Sequence, residues 1–388
     1  MKILFLIQNY HIIDGSSMVL YEYINENKSI TEYKILCRRY TEKQPNLNID
    51  IVNSSEDIKN EILKEDYNII HYFKTHGYDL FNWTLKAIVQ AKKRIPIVTT
   101  ICQRPSYKGM LLSPKEIEKS NILVHIDIAS LNDNLYKFIP TNKKFLNYFG
   151  RQKSNLDLTE NIRAQYKSNS KFTIIGRGSS LNKCPKDIIQ IYDKLKIPNK
   201  KLIIVGITPN SWLHQICKNR SDITLIPPVP YIEWLKICNS FDIFWYYIPS
   251  TSHSSIDGTL GDAMLLGKPI VYMGSEAPKE RFKQDDGFIA SNKAEMISYL
   301  NILSQDKNLR DHIGENARKT IIENFSLTTT ITNYNYIYNK INNINYINTK
   351  IPVNYKLYFY LKSIKAILRS AISGTYFEKL LINHNSKK

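Results

Sequence analysis

Arg177 and Lys183 stand six residues apart in Gly176-Arg177-Gly178-Ser179-Ser180-Leu181-Asn182-Lys183, between an apolar run at 172–175 and a helical pattern over 187–195. A guanidinium offers a planar fork of donors and an ammonium a mobile point charge. Together they can neutralise a developing anion such as a departing diphosphate without a metal. Two solvated loop cations would look the same in isolation, but the strand–loop–helix setting favours the binding role. A second stretch of this kind is PSTSHSSIDGTLGDAMLLGKP, residues 249–269. The run FDIFWYYI before it, 241–248, has the pattern of a buried parallel strand. Polar and small residues continue to Asp257, and Gly258 and Gly261 permit close approaches that a Cβ would block. Residues 262–266 read as a helix closed by Gly267 in a C-cap position and by Pro269, and 270–273 as the next strand. In an open α/β sheet such a loop lies at the carboxyl end of a strand, where backbone N–H groups at the helix N-terminus suit a phosphate.

The elements that must position these residues alternate along the chain. Residues 2–8 read as a strand, 9–15 as a loop and 18–27 as a helix, which puts Gly15 and Ser16 at a helix N-terminus facing a crevice. A glycine needed only for the turn is the equal alternative there. Further strands fall at 33–37, 50–53, 69–72, 96–100, 121–129 and 144–148, with helical patterns at 56–65 and 82–92. His71 and His76, in HYFKTHG, fall at or after a strand end, where phosphate binding, proton transfer and a structural role are all open. Polar residues 150–170 read as a linker with a short helix near 160–167. A second alternating set then runs through strands at 172–175, 201–206, 223–226, 241–248 and 270–273. Such alternation implies parallel, doubly wound sheets.

Size and composition fit this. A chain of 388 residues suffices for two domains, and 43% hydrophobic with 23% charged residues is ordinary for a globular protein. Met1-Lys2 leads into an apolar run too short for a secretory signal, and no run approaches the roughly 20 residues of a spanning helix. The five cysteines (Cys37, Cys102, Cys184, Cys217, Cys238) are scattered without metal-ligand spacing, as in a reducing cytoplasm. The net charge of +18 goes mostly with a Lys-, Asn-, Ile- and Tyr-rich composition. No nucleic-acid module accompanies it, so nucleic acid is not an expected partner.

The 249–269 stretch resembles the donor loop of family 4 retaining glycosyltransferases, which have the GT-B fold. That family carries a Glu, seven residues, a second Glu, then Ala-Met-x-x-Gly-x-Pro. Asp262 falls on the second Glu, and Ala263, Met264, Gly267 and Pro269 match the Ala, Met, Gly and Pro behind it. Ser254 falls where the first Glu stands, with Asp257 a nearby carboxylate three residues out of register. Gly176-Arg177 and Lys183 match the family's diphosphate-binding Gly-Arg and Lys. The resemblance covers about 176–326 well and the first half in outline. The family's His after the strand near residue 100 is absent, with Cys102 or Gln103 in its place.

The resemblance implies two Rossmann-like domains facing a cleft: an acceptor-side domain 1–150, a linker 151–170, a nucleotide-sugar domain 171–328, and C-terminal helices 329–388. It implies transfer of a sugar from a nucleotide-sugar donor, with retention, to a growing bacterial surface glycan. Arg177 and Lys183 would stabilise the leaving diphosphate. Gly15, Ser16, Gly176, Ser254, Asp257, Gly258, Thr259, Leu260 and Asp262 would bind the donor, with Asp262 on the ribose hydroxyls and residues 228–231 on the base. No metal or other cofactor is expected. Two other readings fit the fold: a nucleotide-sugar epimerase using His71, His76 or Asp257 as acid or base, and a catalytically silent scaffold.

In the tail, 329–342 reads as a helix crossing back to the first domain, and 355–372 as an amphipathic one. Leu357, Tyr360, Leu361, Ile364, Leu368 and Ala371 share one face, and Lys362, Lys365 and Arg369 share another. This pattern suits an anionic membrane surface, or equally a helix packed on the protein with a solvated basic face. The expected place is the cytoplasm, peripheral to the inner face of the cell membrane.

Overall fold

The computed structural model describes residues 1–10, 15–40, 47–75, 79–102, 111–158, 162, 165, 173–178, 180–250, 258–282, 285–341 and 349–372. His76, Gln103, Ser254, Asp257 and most of the expected linker helix at 160–167 lie outside them.

Two parallel sheets form the molecule. The first joins β1 (Lys2–Tyr10), β2 (Glu32–Tyr40), β3 (Ile49–Ile51), β4 (Ile69–Lys74), β5 (Ile97–Ile101), β6 (Ile122–His125) and β7 (Lys144–Leu146) in the order β3-β2-β1-β4-β5-β6-β7. The second joins β8 (Thr173–Gly178), β9 (Lys200–Val205), β10 (Ile223–Ile226), β11 (Ile243–Tyr247), β12 (Ile270–Met273) and β13 (Gly287–Ile289) in the order β10-β9-β8-β11-β12-β13. Both are Rossmann-like: the order reverses at the first strand of each, between β1 and β4 and between β8 and β11.

Helices cover both faces, which is why the central strands β4, β5 and β11 are buried along their whole length. Around the first sheet lie α1 (Gly15–Glu26), α2 (Ser55–Lys64), α3 (Asp79–Gln90), α4 (Pro114–Lys119) and α5 (Ile128–Leu131). Around the second lie α6 (Ile188–Asp193), α7 (Trp212–Cys217), α8 (Tyr231–Asn239), α9 (Gly258–Leu265), α10 (Lys293–Gln305) and α11 (Lys307–Asn324). Then α12 (Leu327–Ile341) crosses back and buries Leu327, Tyr334, Ile337, Tyr338 and Ile341 in the core of the first sheet. Last, α13 (Val353–Ile372) lays Tyr355 and Phe359 against Leu112, Ile117 and Tyr136 of the first domain. Among the described residues no helix is long and apolar enough to cross a membrane.

The chain passes between the domains twice, and the passes touch. Arg151 forms a parallel bridge with Ser326, with Arg151 N–H donating to Phe325 O (2.9 Å) and Leu327 N–H to Arg151 O (3.0 Å). Gly150 is required there, because a Cβ would stand 2.1 Å from Ser326 O.

Sequence and structure differ at β8. The strand continues through Gly176, Arg177 and Gly178, each paired with β9, rather than ending at Ile175. The two glycines make this possible: a Cβ on Gly176 would meet the Phe241 ring at 2.1 Å, and one on Gly178 the Trp234 ring at 2.3 Å. Aromatic rings of the α8 region thus lie flat on the strand where a side chain would otherwise stand.

Candidate active site at the switch point of the second sheet

β8 pairs with β11 only through Ile175 and Gly176, opposite Ile243 and Phe244. Beyond them the strands part, and Arg177 closes the gap. Its guanidinium is fully buried. Nη1 donates to Tyr247 O at 2.6 Å and Nη2 to Lys183 O at 3.1 Å. The first contact spans the switch point, ending at Tyr247, the last residue of β11. The second fixes the 3-10 turn Leu181–Lys183, on which Lys183 is half-buried. The two expected cations are therefore together at the carboxyl end of the sheet, with Arg177 beneath the turn that carries Lys183.

Asp187 steadies the same corner. It accepts from Tyr247 Oη (3.1 Å) and pairs with Lys293 (2.5 Å). Burial alone would raise its pKa, but Lys293 and the tyrosine hydroxyl outweigh that and hold the carboxyl below its ordinary value.

Opposite, α9 begins at Gly258 and puts Thr259, half-buried, in its first turn, while Leu260 is buried in the core against Phe244 and Ile248. Leu260 can thus face a ligand only with its backbone. The helix ends as its sequence foretold. Gly267, at φ +65°, donates to Met264 O (2.9 Å), and Lys268 N–H donates to Ala263 O (2.9 Å), a Schellman pair.

Asp262 is nearly fully buried and already held by this chain. Its Oδ1 accepts from Tyr231 Oη (3.0 Å) and lies 2.6 Å from Arg151 Nε, while Oδ2 accepts from Trp234 Nε1 (2.8 Å). Burial lowers the Arg151 pKa, but Asp262 more than reverses this and pushes it above its ordinary value. The two glycines of α9 face arginines. A Cβ on Gly258 would stand 2.3 Å from Arg151 Nη2, and one on Gly261 would stand 2.3 Å from Arg281 Nη1. Arg281, itself buried, donates to Phe149 O (2.7 Å) and lies over the Phe325 ring at 5.3 Å. The approach that these glycines foretold is thus made by two arginines, Arg151 from the interdomain segment and Arg281 from the turn after β12.

The neighbouring Glu280 joins the domains. Its carboxylate accepts the backbone N–H groups of Ile128 (2.7 Å) and Ala129 (2.8 Å) at the start of α5. In the first domain Gly15 and Ser16 open α1, as the sequence implied.

His71 proves to be structural. It lies inside β4, fully buried, with Nδ1 2.6 Å from Tyr338 Oη and Nε2 2.7 Å from Thr100 Oγ1. Burial pushes its pKa down to about 3, so it stays neutral and faces the core rather than the cleft. Cys102 is likewise buried at the end of β5. Pro228 is exposed, whereas Tyr231, placed beside it in the base-binding segment, turns to Asp262. Arg151, Glu280 and Arg281 escaped the sequence reading. The only signal for the two arginines was the glycine spacing at 258 and 261, which announces a close neighbour without naming it.

No family model and no curated protein matches this chain. Solved structures do. HepE of Anabaena in complex with UDP and glucose is 15% identical, with a TM-score of 0.72 over 88% of this chain and all (100%) of its own. Sucrose-phosphate synthase from Thermosynechococcus elongatus is 12% identical, with a TM-score of 0.70 over 89% of this chain and 100% of its own. WaaG, a glycosyltransferase involved in lipopolysaccharide biosynthesis, is 12% identical, with a TM-score of 0.65 over 87% and 99%. At these identities the likeness concerns architecture, and by it this chain has the GT-B fold of two Rossmann-like domains.

Proposed function

We propose that this protein is a retaining glycosyltransferase that moves a hexose from a nucleotide-sugar donor to a growing bacterial surface glycan. The observation that carries the reading is the switch point. There Arg177, the turn that carries Lys183 and the end of β11 meet where the second sheet parts, the place at which open α/β sheets bind ligands. HepE holds UDP and glucose in the same fold, and WaaG acts in lipopolysaccharide biosynthesis, which supports the donor class and the glycan acceptor.

In this reading the diphosphate lies on Lys183 and on the N–H groups at the start of α9, with Gly15 and Ser16 across the cleft. Arg177 adds charge from beneath, and Gly176 belongs to the strand that carries it. Asp262 anchors Arg151, Tyr231 and Trp234, and its Oδ2, with one donor among the described residues, keeps acceptor capacity for a ribose hydroxyl. Ser254, with Asp257 in reserve, faces the sugar hydroxyls. The acceptor hydroxyl attacks from the leaving-group side, and a phosphate oxygen takes its proton. Positioning and charge stabilisation then supply the catalysis, with no protein nucleophile and no need of a metal. The acceptor is lipid-linked, and the enzyme works at the cytoplasmic face of the membrane.

The epimerase reading is weakened, because His71, one of its three acid–base candidates, is buried and neutral. The test is a calorimetric panel of nucleotide sugars and then donor turnover in Lys183→Ala. Loss of one charged contact to the leaving group should slow turnover about 100-fold with the fold intact. Unchanged turnover removes Lys183 from the site, and silence of the wild type toward every donor favours the scaffold.

A further inference from the structure

The sequence pattern of α13 sets an apolar face against a basic one, and a packed helix would bury the apolar side. The structure leaves that side exposed. The helix is seated through Tyr355 and Phe359, with Tyr355 Oη donating to Leu112 O at 2.6 Å. The opposite face carries Leu357, Tyr360, Leu361 and Ile364, each 53% to 58% exposed, with Val353 at 81% before them. These positions recur at three- and four-residue intervals, so they form one continuous stripe along the helix. Lys356 lies on one flank of the stripe and Lys365 on the other, with Lys362 beyond Lys365 toward the seated face, all exposed.

Charge identifies what covers the stripe. No acidic residue occurs between Glu323 and Glu378, whereas Lys340, Lys350, Lys356, Lys362, Lys365 and Arg369 all do. A second copy of this helix would set lysine rows against lysine rows. A planar anionic surface satisfies both parts at once: aliphatic side chains enter the headgroup–acyl boundary, while lysines on both flanks reach up to phosphates.

We infer that the stripe Leu357–Tyr360–Leu361–Ile364, flanked by Lys356 and Lys365 with Lys362 behind them, is a docking surface for an anionic phospholipid bilayer. It deepens the proposed function by naming the surface that meets a membrane carrying a lipid-linked acceptor. It rests on that reading only for its purpose.

The test is flotation of the full chain with vesicles of phosphatidylcholine alone or with about one third phosphatidylglycerol. The wild type should float with the anionic vesicles at least tenfold more than with the neutral ones, and added salt should weaken the association. The triple variant Leu357→Ser, Leu361→Ser, Ile364→Ser should lose binding. The double variant Lys362→Glu, Lys365→Glu should lose the preference for anionic lipid. All five positions are exposed, so both variants should keep the wild-type melting temperature and nucleotide affinity. No flotation of the wild type, equal flotation of the triple variant, or self-association of the wild type abolished in the triple variant without any vesicle binding would each overturn the inference. Because the readout is binding, it can fail while sugar transfer stands, and the reverse.

Discussion

At the switch point of the first sheet, β1 stays paired with β4 as far as Ile7 and Phe73, whereas in the second β8 and β11 part after Gly176 and Phe244. Both places hold a buried cation, and the two are partnered differently. Lys74, at the end of β4, pairs with Glu116 at 3.0 Å, with both side chains fully buried; burial pulls the lysine's pKa down and Glu116 restores part of it. Arg177 instead gives two donors to backbone carbonyls on either side of an opening. The second sheet's carboxylate, Asp262, serves a different arginine, drawn in from the interdomain segment. One sheet sets an ion pair at its switch point; the other sets an arginine there that bonds the carbonyls on both sides of an opening.

The largest effect expected separates these two carboxylates. Asp262→Ala and Glu116→Ala each leave a buried cation without its partner, so each should cost about 3–5 kcal/mol in denaturant unfolding. Only Asp262→Ala should also weaken nucleotide-sugar binding, because it releases α9 and the Arg151 that lies over its first turn. Equal loss of binding in both variants would erase the distinction between the domains.

A smaller effect comes from pH and is confined to the first domain. His71 and His125 are both buried there, and burial pushes each pKa down to about 3, with Lys144 adding to the shift at His125. An unfolded histidine titrates near 6.5, so the unfolded chain binds more protons below that pH and stability falls as pH falls. The histidines' contribution is intact above about pH 6.5 and lost progressively toward pH 3. At pH 5 each should have forfeited about 2 kcal/mol. Hydrogen exchange measured from pH 7 to pH 5 should show β4 and β6 losing protection before β8 and β11. Uniform loss across both sheets would contradict the assignment.

The fold was legible because strand and helix periods alternate cleanly and few residues intervene. The 231–239 helix and the Gly267 cap emerged at their expected places, since each is set by local pattern alone. The site was only partly legible. Glycine at 176, 178, 258 and 261 signals that something comes close, and the natural expectation for such residues beside a crevice is ligand. The neighbours turned out to be Phe241, Trp234, Arg151 and Arg281, none of them near its glycine in the chain and Arg151 drawn from the interdomain segment. Tyr231 and Trp234, three apart on one face of α8, reach Asp262 by the same kind of non-local packing. Periodicity in a linear string carries no record of such meetings, nor of which face of α13 is turned outward.

The smallest effect concerns the joint between the two domains. Glu280 is half-exposed, yet its two oxygens cap two backbone N–H groups of the other domain, and it lies close enough to Tyr148 to help burial push that hydroxyl up to about 12. Glu280→Gln keeps the size of the side chain but has one acceptor oxygen, so one N–H of α5 would face an amide NH2 instead. Loss of one charge-assisted bond at a half-exposed site should cost about 1 kcal/mol, too little to unfold either domain. Its consequence is geometric, since Glu280 comes after β12 of the second sheet and grips the start of α5 beside the first. Small-angle scattering of the variant should report a larger radius of gyration, and donor KM should rise more than kcat falls. A variant with wild-type scattering and wild-type KM would show that the crossing at Gly150 and Ser326 sets the domain angle without help from Glu280.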